Sequence, residues 1–188
     1  MLSVIIPTRD SDRTLVPTLA ALVPGATAGL ISEVVVADAG SRDETAAVAD
    51  VAGCNFITVE GPLGRRLKTA AAQARAPWLM FLRPGIVLDA SWTGEVERFV
   101  QQPARYGQSA VFRRGGRSQS TWQEIVAMIA AKLGGLPRPE QGLLIASAFY
   151  AALGGHSERV NDPEQDLLRR IGRARSVRLM TNAFQLDT

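Results

Sequence analysis

Polar and turn-forming residues follow each of four apolar runs in the first half of the chain, at positions 7–11, 38–41, 61–66 and 83–85. Asp38 comes directly after its run, where a carboxylate can accept hydrogen bonds from the N–H edge of a nucleotide base. Gly40 and Ser41 form a turn that can present helix N-terminal amides to an anion. Arg65 and Arg66 place two guanidinium groups at a predicted helix start, where they could bind a diphosphate through paired hydrogen bonds. These patterns predict a nucleotide and phosphate site, with helix capping and surface solubility as the alternatives.

Three carboxylates lie close together near the end of the chain, at Asp162, Glu164 and Asp166. A carboxylate there could remove the proton from a hydroxyl group as its oxygen attacks a carbon atom. Acidic residues also favour the N-terminus of a helix, because they oppose the positive end of the helix dipole. Both interpretations stay open. His156 could contact a phosphate, but an isolated loop histidine is more often incidental.

Short β-branched runs alternate with helix-period segments through the first half, which predicts strands at residues 2–6, 33–37, 56–59 and 78–82. Ser41 and Glu44 have the spacing of a capping box and predict the start of one of the intervening helices. Such a pattern is typical of an α/β fold with a mostly parallel sheet and helices on both faces. Ligands bind at the carboxyl ends of the strands in sheets of this kind, so the four polar segments should line one crevice.

The second half of the chain is less regular. Its patterns predict helices at residues 92–100, 121–133 and 162–171, and strands at 110–113, 142–146 and 177–180. No internal repeat or low-complexity tract marks a further domain. We therefore predict one domain over residues 1–188, with halves at 1–89 and 90–188.

Composition limits the classes of function. Apolar residues make up 46% and charged residues 21% of the chain, a balance typical of a soluble globular protein. The single cysteine, Cys54, and the lack of a basic leader before the first strand indicate a cytoplasmic protein. The net charge is +3, and the clustered arginines could attract phosphate-bearing ligands or an anionic membrane surface. No aromatic residues interleave with them, so we expect no nucleic-acid partner.

Several segments resemble, in order and spacing, the family 2 glycosyltransferases, especially the short bacterial ones. SVIIPT at 3–8 resembles their opening strand, VVVADAGSRD at 34–43 resembles their VVDGGSTDGT segment, and Gly64 and Arg65 begin a helix similar to their GRARQMNAGA helix. Gln141 and Gly142, with AALGG at 151–155, are similar to the acceptor-side stretch of the family. The resemblance covers nearly the whole chain and implies a glycosyltransferase A fold.

The resemblance also implies a reaction, the inverting transfer of a sugar from a nucleoside diphosphate sugar, for which we expect a UDP-sugar. It implies that Pro7, Thr8 and Asp38 hold the base and ribose and that the diphosphate lies near Arg65. Asp10 and Gly40 belong to the same nucleotide-binding loops. Residues 1–89 would then form the nucleotide-binding half, and residues 90–188 the acceptor-side half.

The same resemblance implies a catalytic base ahead of the last helix. By register this is Glu164, with Asp162 and Asp166 as alternates. The acceptor could be a lipid or lie at the inner membrane surface, because the predicted helix at 121–133 carries an apolar stripe that could lie in a membrane interface. Core packing is the favoured interpretation of that stripe, which consists of Trp122, Ile125, Val126, Ile129 and Leu133.

One departure from the family concerns the metal. Family members follow the fourth strand with a D-x-D or H-A-D segment whose last aspartate coordinates Mn²⁺ or Mg²⁺, whereas this chain has Arg83, Pro84 and Gly85. Hard divalent cations need oxygen ligands, and Asp89 follows four residues too late. No cofactor is therefore certain, and Mn²⁺ or Mg²⁺ is doubtful. Arg83 could neutralise the diphosphate in place of the cation.

Three functions follow from these patterns. The first is a transferase that uses Arg65 and Arg83 on the diphosphate and Glu164 as base, with little or no need for a metal. The second is a catalytically degenerate domain that binds a nucleotide sugar without transferring it. The third, a sugar-phosphate nucleotidyltransferase, ranks last because residues 7–10 lack the glycine-rich loop of that class.

Overall fold

The computed structural model describes residues 1–115 and 137–186. In these ranges eight strands form one mixed sheet in the order β3-β2-β1-β4-β7-β6-β8-β5. The strands are β1 (Leu2–Thr8), β2 (Ile31–Asp38), β3 (Asn55–Thr58), β4 (Trp78–Phe81), β5 (Ile86–Leu88), β6 (Ser109–Arg114), β7 (Leu143–Ala146) and β8 (Ser176–Gln185).

The first four strands are parallel to one another, as the β-α alternation predicts. Beyond β4 the sheet is mixed, because β7 runs antiparallel to both β4 and β6. β8 is parallel to β6, and β5 pairs antiparallel with β8 at the edge. The prediction of an α/β fold with a mostly parallel sheet is confirmed. β5 is an additional short strand that the sequence patterns do not predict.

Six helices cover the sheet in the described residues: α1 (Asp12–Thr27), α2 (Thr45–Val51), α3 (Leu63–Gln73), α4 (Trp92–Val100), α5 (Ser147–Ala152) and α6 (Pro163–Ile171). The residues of β1 alternate between two apolar clusters, with Val4 and Ile6 in one and Ile5 in the other. The first cluster packs under α1, α2 and α4, and the second under α3, α5 and α6. The helices therefore lie on both faces, in agreement with the prediction.

The predicted helix at 121–133 and its apolar stripe lie outside the described residues. Within residues 1–115 and 137–186, no helix combines the length and the apolar character needed to cross a bilayer. The sheet contains strands from both predicted halves, and the division at residue 89 stays a prediction.

Candidate functional site

A cleft of about 360 Å³ opens at the carboxyl ends of β1 and β4. Four parts of the chain supply its charged and polar walls: Thr8 at the end of β1, Arg66 on α3, Arg83 after β4, and Glu164 at the start of α6. Gln185, at the end of β8, closes a further side. This is the edge of the parallel strands where ligands bind in such sheets.

Asp38 lies at this edge, at the end of β2, with only 1% of its surface exposed. Its carboxylate accepts hydrogen bonds from the Thr8 hydroxyl (2.8 Å), from the backbone N–H groups of Gly40 (2.7 Å) and Ser41 (2.6 Å), and from the Ser41 hydroxyl (2.5 Å). Burial alone would raise the pKa of Asp38, but these hydrogen bonds outweigh it and hold the pKa below its usual value. The carboxylate thus ties β1 to the β2–α2 loop.

This arrangement bears on two expectations. The capping box predicted at Ser41 is wrong, because α2 begins at Thr45 and the Ser41 hydroxyl bonds to Asp38 instead. The amides of Gly40 and Ser41 also donate to Asp38, so they are engaged within the protein. Recognition of a base by Asp38 stays a prediction, and it would require one of these four donors to give way.

Asp10 holds the same two loops together from the other side. Its backbone has a positive φ of 46°, its N–H donates to the Ser41 hydroxyl (2.8 Å), and its carboxylate accepts from the N–H of Arg42 (2.8 Å). The nearby N–H of Ser11 donates to the Thr45 hydroxyl (2.8 Å). The β1–α1 and β2–α2 loops therefore form one rigid rim beside the cleft, with Pro7 and Thr8 facing into the cleft.

The two arginines of α3 differ in position. Arg66 lines the cleft and donates from Nη1 to the carbonyl oxygen of Thr8 (2.7 Å). Its Nε is buried and has no hydrogen-bond partner among the described residues, and burial, reinforced by nearby Arg9, lowers its pKa. Arg65 is exposed and packs over Gly61 instead. Of the two predicted arginines, the structure therefore brings Arg66 to the cleft, whereas Arg65, near which the resemblance places the diphosphate, does not line it.

Arg83 and Glu164 form an ion pair across the cleft. Both Nε (2.8 Å) and Nη2 (2.5 Å) of Arg83 donate to Oε2 of Glu164, and Nη1 lies 3.5 Å from Oε1 of Glu140. Burial alone would lower the pKa of Arg83, but the contact with Glu164 more than compensates and raises it. Desolvation raises the pKa of Glu164, although Arg83 opposes that shift. The sequence-predicted cation and carboxylate thus meet in one place.

The other two carboxylates predicted as alternates have structural contacts. Asp162 precedes α6 and accepts from the N–H of Gln165 (3.0 Å), which is an N-cap. Asp166 pairs with Arg170 (2.8 Å), whose guanidinium also binds the carbonyl oxygens of Leu153 and Gly155. Among the three candidates, Glu164 is the one that lines the cleft.

His156 is buried outside the cleft wall, with its Nδ1 2.9 Å from the hydroxyl of Tyr150 and its ring against Phe81. Desolvation, with a smaller contribution from Arg170, lowers the pKa of His156 to about 3. The imidazole is therefore neutral at physiological pH and belongs to the core. Gln185 and Leu186 were missed as cleft residues, since nothing in the sequence indicates that β8 extends to the β4–β5 loop.

The residues after β4 do not fit a divalent cation. Arg83 places a positive charge there and already contacts the carboxylates of Glu140 and Glu164. Asp89 bonds to Ser91 and to the N–H of Asn182, away from the cleft. In residues 1–115 and 137–186, no three His, Cys, Asp or Glu side chains cluster as metal ligands would.

Two solved structures show the same fold. Glucosyl-3-phosphoglycerate synthase from Mycobacterium tuberculosis, in complex with Mn²⁺, UDP and glucosyl-3-phosphoglycerate, is 17% identical with a TM-score of 0.73, and the match covers 100% of this chain and 72% of that one. S. aureus TarS 1-349 in complex with UDP-GlcNAc is 17% identical with a TM-score of 0.71, covering 100% of this chain and 59% of that one. At such identities the likeness shows the fold alone.

A search of curated protein sequences returns no match. The sequence model of the family described as Glycosyl transferase family 2 matches residues 3–142, which are 140 of the 188 residues. This match confirms the resemblance predicted from the ordered segments. The chain therefore belongs to glycosyl transferase family 2.

Proposed function

We propose that this chain transfers a sugar from a nucleoside diphosphate sugar to a hydroxyl group, without a divalent cation on the diphosphate. The observation that carries the proposal is the meeting of Arg83 and Glu164 in one cleft at the carboxyl ends of the parallel strands. A guanidinium can bind phosphate oxygens, and a carboxylate can accept a proton. Family membership supports the reaction class.

A UDP-sugar is the donor that we propose. Support comes from the two proteins of the same fold, whose structures contain UDP and UDP-GlcNAc. In the present chain, Pro7 and Thr8 line the cleft where the base and ribose would lie, and the rim held by Asp38 forms its edge. Arg66 and Arg83, which both line the cleft, would contact the diphosphate.

In the proposed reaction the acceptor oxygen attacks the anomeric carbon of the sugar. The acceptor O–H bond breaks as its proton moves to Glu164, and the new C–O bond forms while the bond from the anomeric carbon to the phosphate oxygen breaks. The electron pair of that bond leaves with the nucleoside diphosphate. Arg83 neutralises the charge that develops on the leaving group, which lowers the barrier without a metal.

A second candidate function is a nucleotide-sugar-binding domain that has lost catalysis. The observation that favours it is the same ion pair, because Nε and Nη2 of Arg83 favour the charged form of the carboxylate and so oppose its protonation. The nucleotidyltransferase alternative loses support, since the chain belongs to a glycosyl transferase family. A lipid acceptor and a location at the inner membrane surface stay predictions.

Calorimetric titration with UDP and UDP-sugars, in EDTA and in Mn²⁺, followed by a donor-hydrolysis assay, separates these functions. The proposal expects binding and turnover that EDTA leaves unchanged. Binding without turnover would favour the degenerate domain, and binding of no nucleotide would contradict both. Unchanged turnover in Arg83→Ala would remove Arg83 from the reaction.

A further inference from the structure

We propose that Arg83 is exchanged between Glu164 and the diphosphate of the donor, so that donor binding releases Glu164 to act as the base. This inference rests on the proposed function and adds an order of events to it. Arg83 is then a positioning residue for Glu164 before the donor arrives, and a donor-binding residue afterwards.

The guanidinium of Arg83 is directed entirely at carboxylates. Two of its nitrogens contact Oε2 of Glu164, and the third lies at the longer distance of 3.5 Å from Glu140. Three of its five N–H groups face carboxylates, and Glu164 occupies the edge formed by Nε and Nη2, so an anion that binds both nitrogens of this edge must compete with Glu164. Nη1 has the weakest contact and is the natural place for a phosphate oxygen to bind first.

The exposure of the two partners is unequal. The Arg83 side chain is 34% exposed, whereas that of Glu164 is 10% exposed. A donor entering the cleft thus reaches the guanidinium more readily than the less exposed carboxylate. Within residues 1–115 and 137–186, Arg83 is the cation that pairs with the carboxylate of Glu164.

Exchange changes the basicity of Glu164 in the direction that the reaction needs. While Glu164 is paired with Arg83, the guanidinium favours the charged carboxylate and opposes the rise in pKa that burial causes. Once the diphosphate has bound the guanidinium, Glu164 is left as a buried carboxylate next to Asp162 and Glu140. Its burial and the negative charges of these two neighbours all favour its protonation. The base would become effective only with the donor in place.

The test measures the affinity for UDP, for inorganic pyrophosphate and for uridine in Glu164→Gln. Removing the competing carboxylate should tighten the binding of UDP and pyrophosphate about fivefold or more, because Arg83 becomes free for the anion. Uridine has no diphosphate, so its affinity should stay unchanged. Glu97→Gln makes the same charge change on the exposed side of α4 and should alter none of the three affinities.

The double variant Arg83→Gln/Glu164→Gln should lose the gain in affinity and bind UDP no more tightly than Arg83→Gln alone. A damaged fold cannot produce tighter binding, so the sign of the effect separates exchange from a merely structural role. If Glu164→Gln does not fold, Glu140→Gln takes its place, since this more exposed carboxylate also contacts Arg83, and about twofold tightening is expected.

Equal or weaker binding of UDP and pyrophosphate in the folded variant would overturn the exchange while leaving the transferase proposal intact. Failure of the wild-type chain to bind UDP would instead count against the proposed donor. Pyrophosphate tests the exchange in that case too, because it needs no recognition of a base.

Discussion

The backbone of Ser157 packs directly against Gly64 in the first turn of α3, so that a Cβ atom at Gly64 would lie 1.9 Å from the Ser157 carbonyl oxygen. The Cβ of Pro163, the first residue of α6, would be 3.2 Å away. Glycine at this position therefore allows the segment before α6 to approach α3. That approach sets the position of Glu164, which follows Pro163 in the chain.

Gly64→Ala should displace this segment and lower the free energy of unfolding by about 1–3 kcal/mol, as overpacking does. Urea denaturation measures this loss of stability. Turnover should also fall under conditions in which the variant is fully folded, because Glu164 moves with the segment. Gly94→Ala is the matched control, since Gly94 is also in the first turn of a helix but has nothing within 4 Å. That change should be neutral or stabilising by about 0.5–1 kcal/mol. Equal losses in both variants would contradict the close packing.

Arg66 and Arg65 should contribute unequally to nucleotide binding, because only Arg66 lines the cleft. Arg66→Gln should weaken UDP binding about tenfold or more through the loss of a charge-assisted contact. Arg65→Gln removes the same charge from an exposed position and should weaken it about twofold at most. Calorimetric titration measures both, and unfolding curves check that loss of the Arg66 bond to Thr8 has not disrupted the fold. A larger loss of UDP affinity in Arg65→Gln than in Arg66→Gln would instead indicate that the diphosphate binds near Arg65.

The position of each arginine depends on helix phase, which the sequence pattern leaves uncertain. α3 begins at Leu63, so both arginines lie in its first turn, and each residue turns the side-chain direction by about 100°. A pair of adjacent arginines can therefore be recognised as a phosphate-binding pattern without knowing which member faces the cleft. Burial of Leu67, Ala70 and Ala71 decides the phase, and that burial depends on the sheet.

The first half of the fold was predictable because each parallel strand is an apolar run that ends in polar or turn residues at the ligand-binding edge. The second half was less so. β8 inserts between β6 and β5, and these pairings join residues far apart in sequence. Ser41 illustrates a local limit, because its spacing matches a capping box while its hydroxyl is taken by Asp38, three residues earlier.

His156 should make the fold less stable in acid. Its pKa in the folded chain is about 3, against about 6.5 when unfolded, so between these values only the unfolded chain takes up the proton. The free energy of unfolding should therefore fall by about 1.4 kcal/mol for each pH unit below about 6. Denaturation curves at pH 5, 6 and 7 should show this slope in the wild type, and His156→Gln should reduce it. If the stability of the wild type and of His156→Gln changed with pH to the same extent, the pKa of the imidazole would be the same in the folded and unfolded chains.

Arg83→Gln should destabilise the fold in a pH-dependent way, because it leaves Glu164 buried without its guanidinium and facing Glu140 and Asp162. The pKa of Glu164 in the folded chain then lies further above its unfolded value of about 4.3. A carboxyl group whose pKa is raised in the folded chain stabilises the fold at pH values below its unfolded pKa. That stabilisation is lost as the pH rises through the folded pKa. The free energy of unfolding of the variant should thus be close to that of the wild type near pH 4 and lower by about 2 kcal/mol or more at pH 7.

Denaturation of Arg83→Gln from pH 4 to 8 measures this loss relative to the wild type, and adding Glu164→Gln should remove the extra loss at high pH, because the buried carboxylate that must ionise without a partner is then gone. Arg75→Gln is the control, since it breaks an arginine–glutamate pair whose arginine is 82% exposed and should cost less than about 1 kcal/mol. A loss in Arg83→Gln that is the same at pH 4.5 and pH 7.5 would mean that Glu164 is not held in its charged form by Arg83. The exchange of Arg83 between Glu164 and a diphosphate would then have no electrostatic basis.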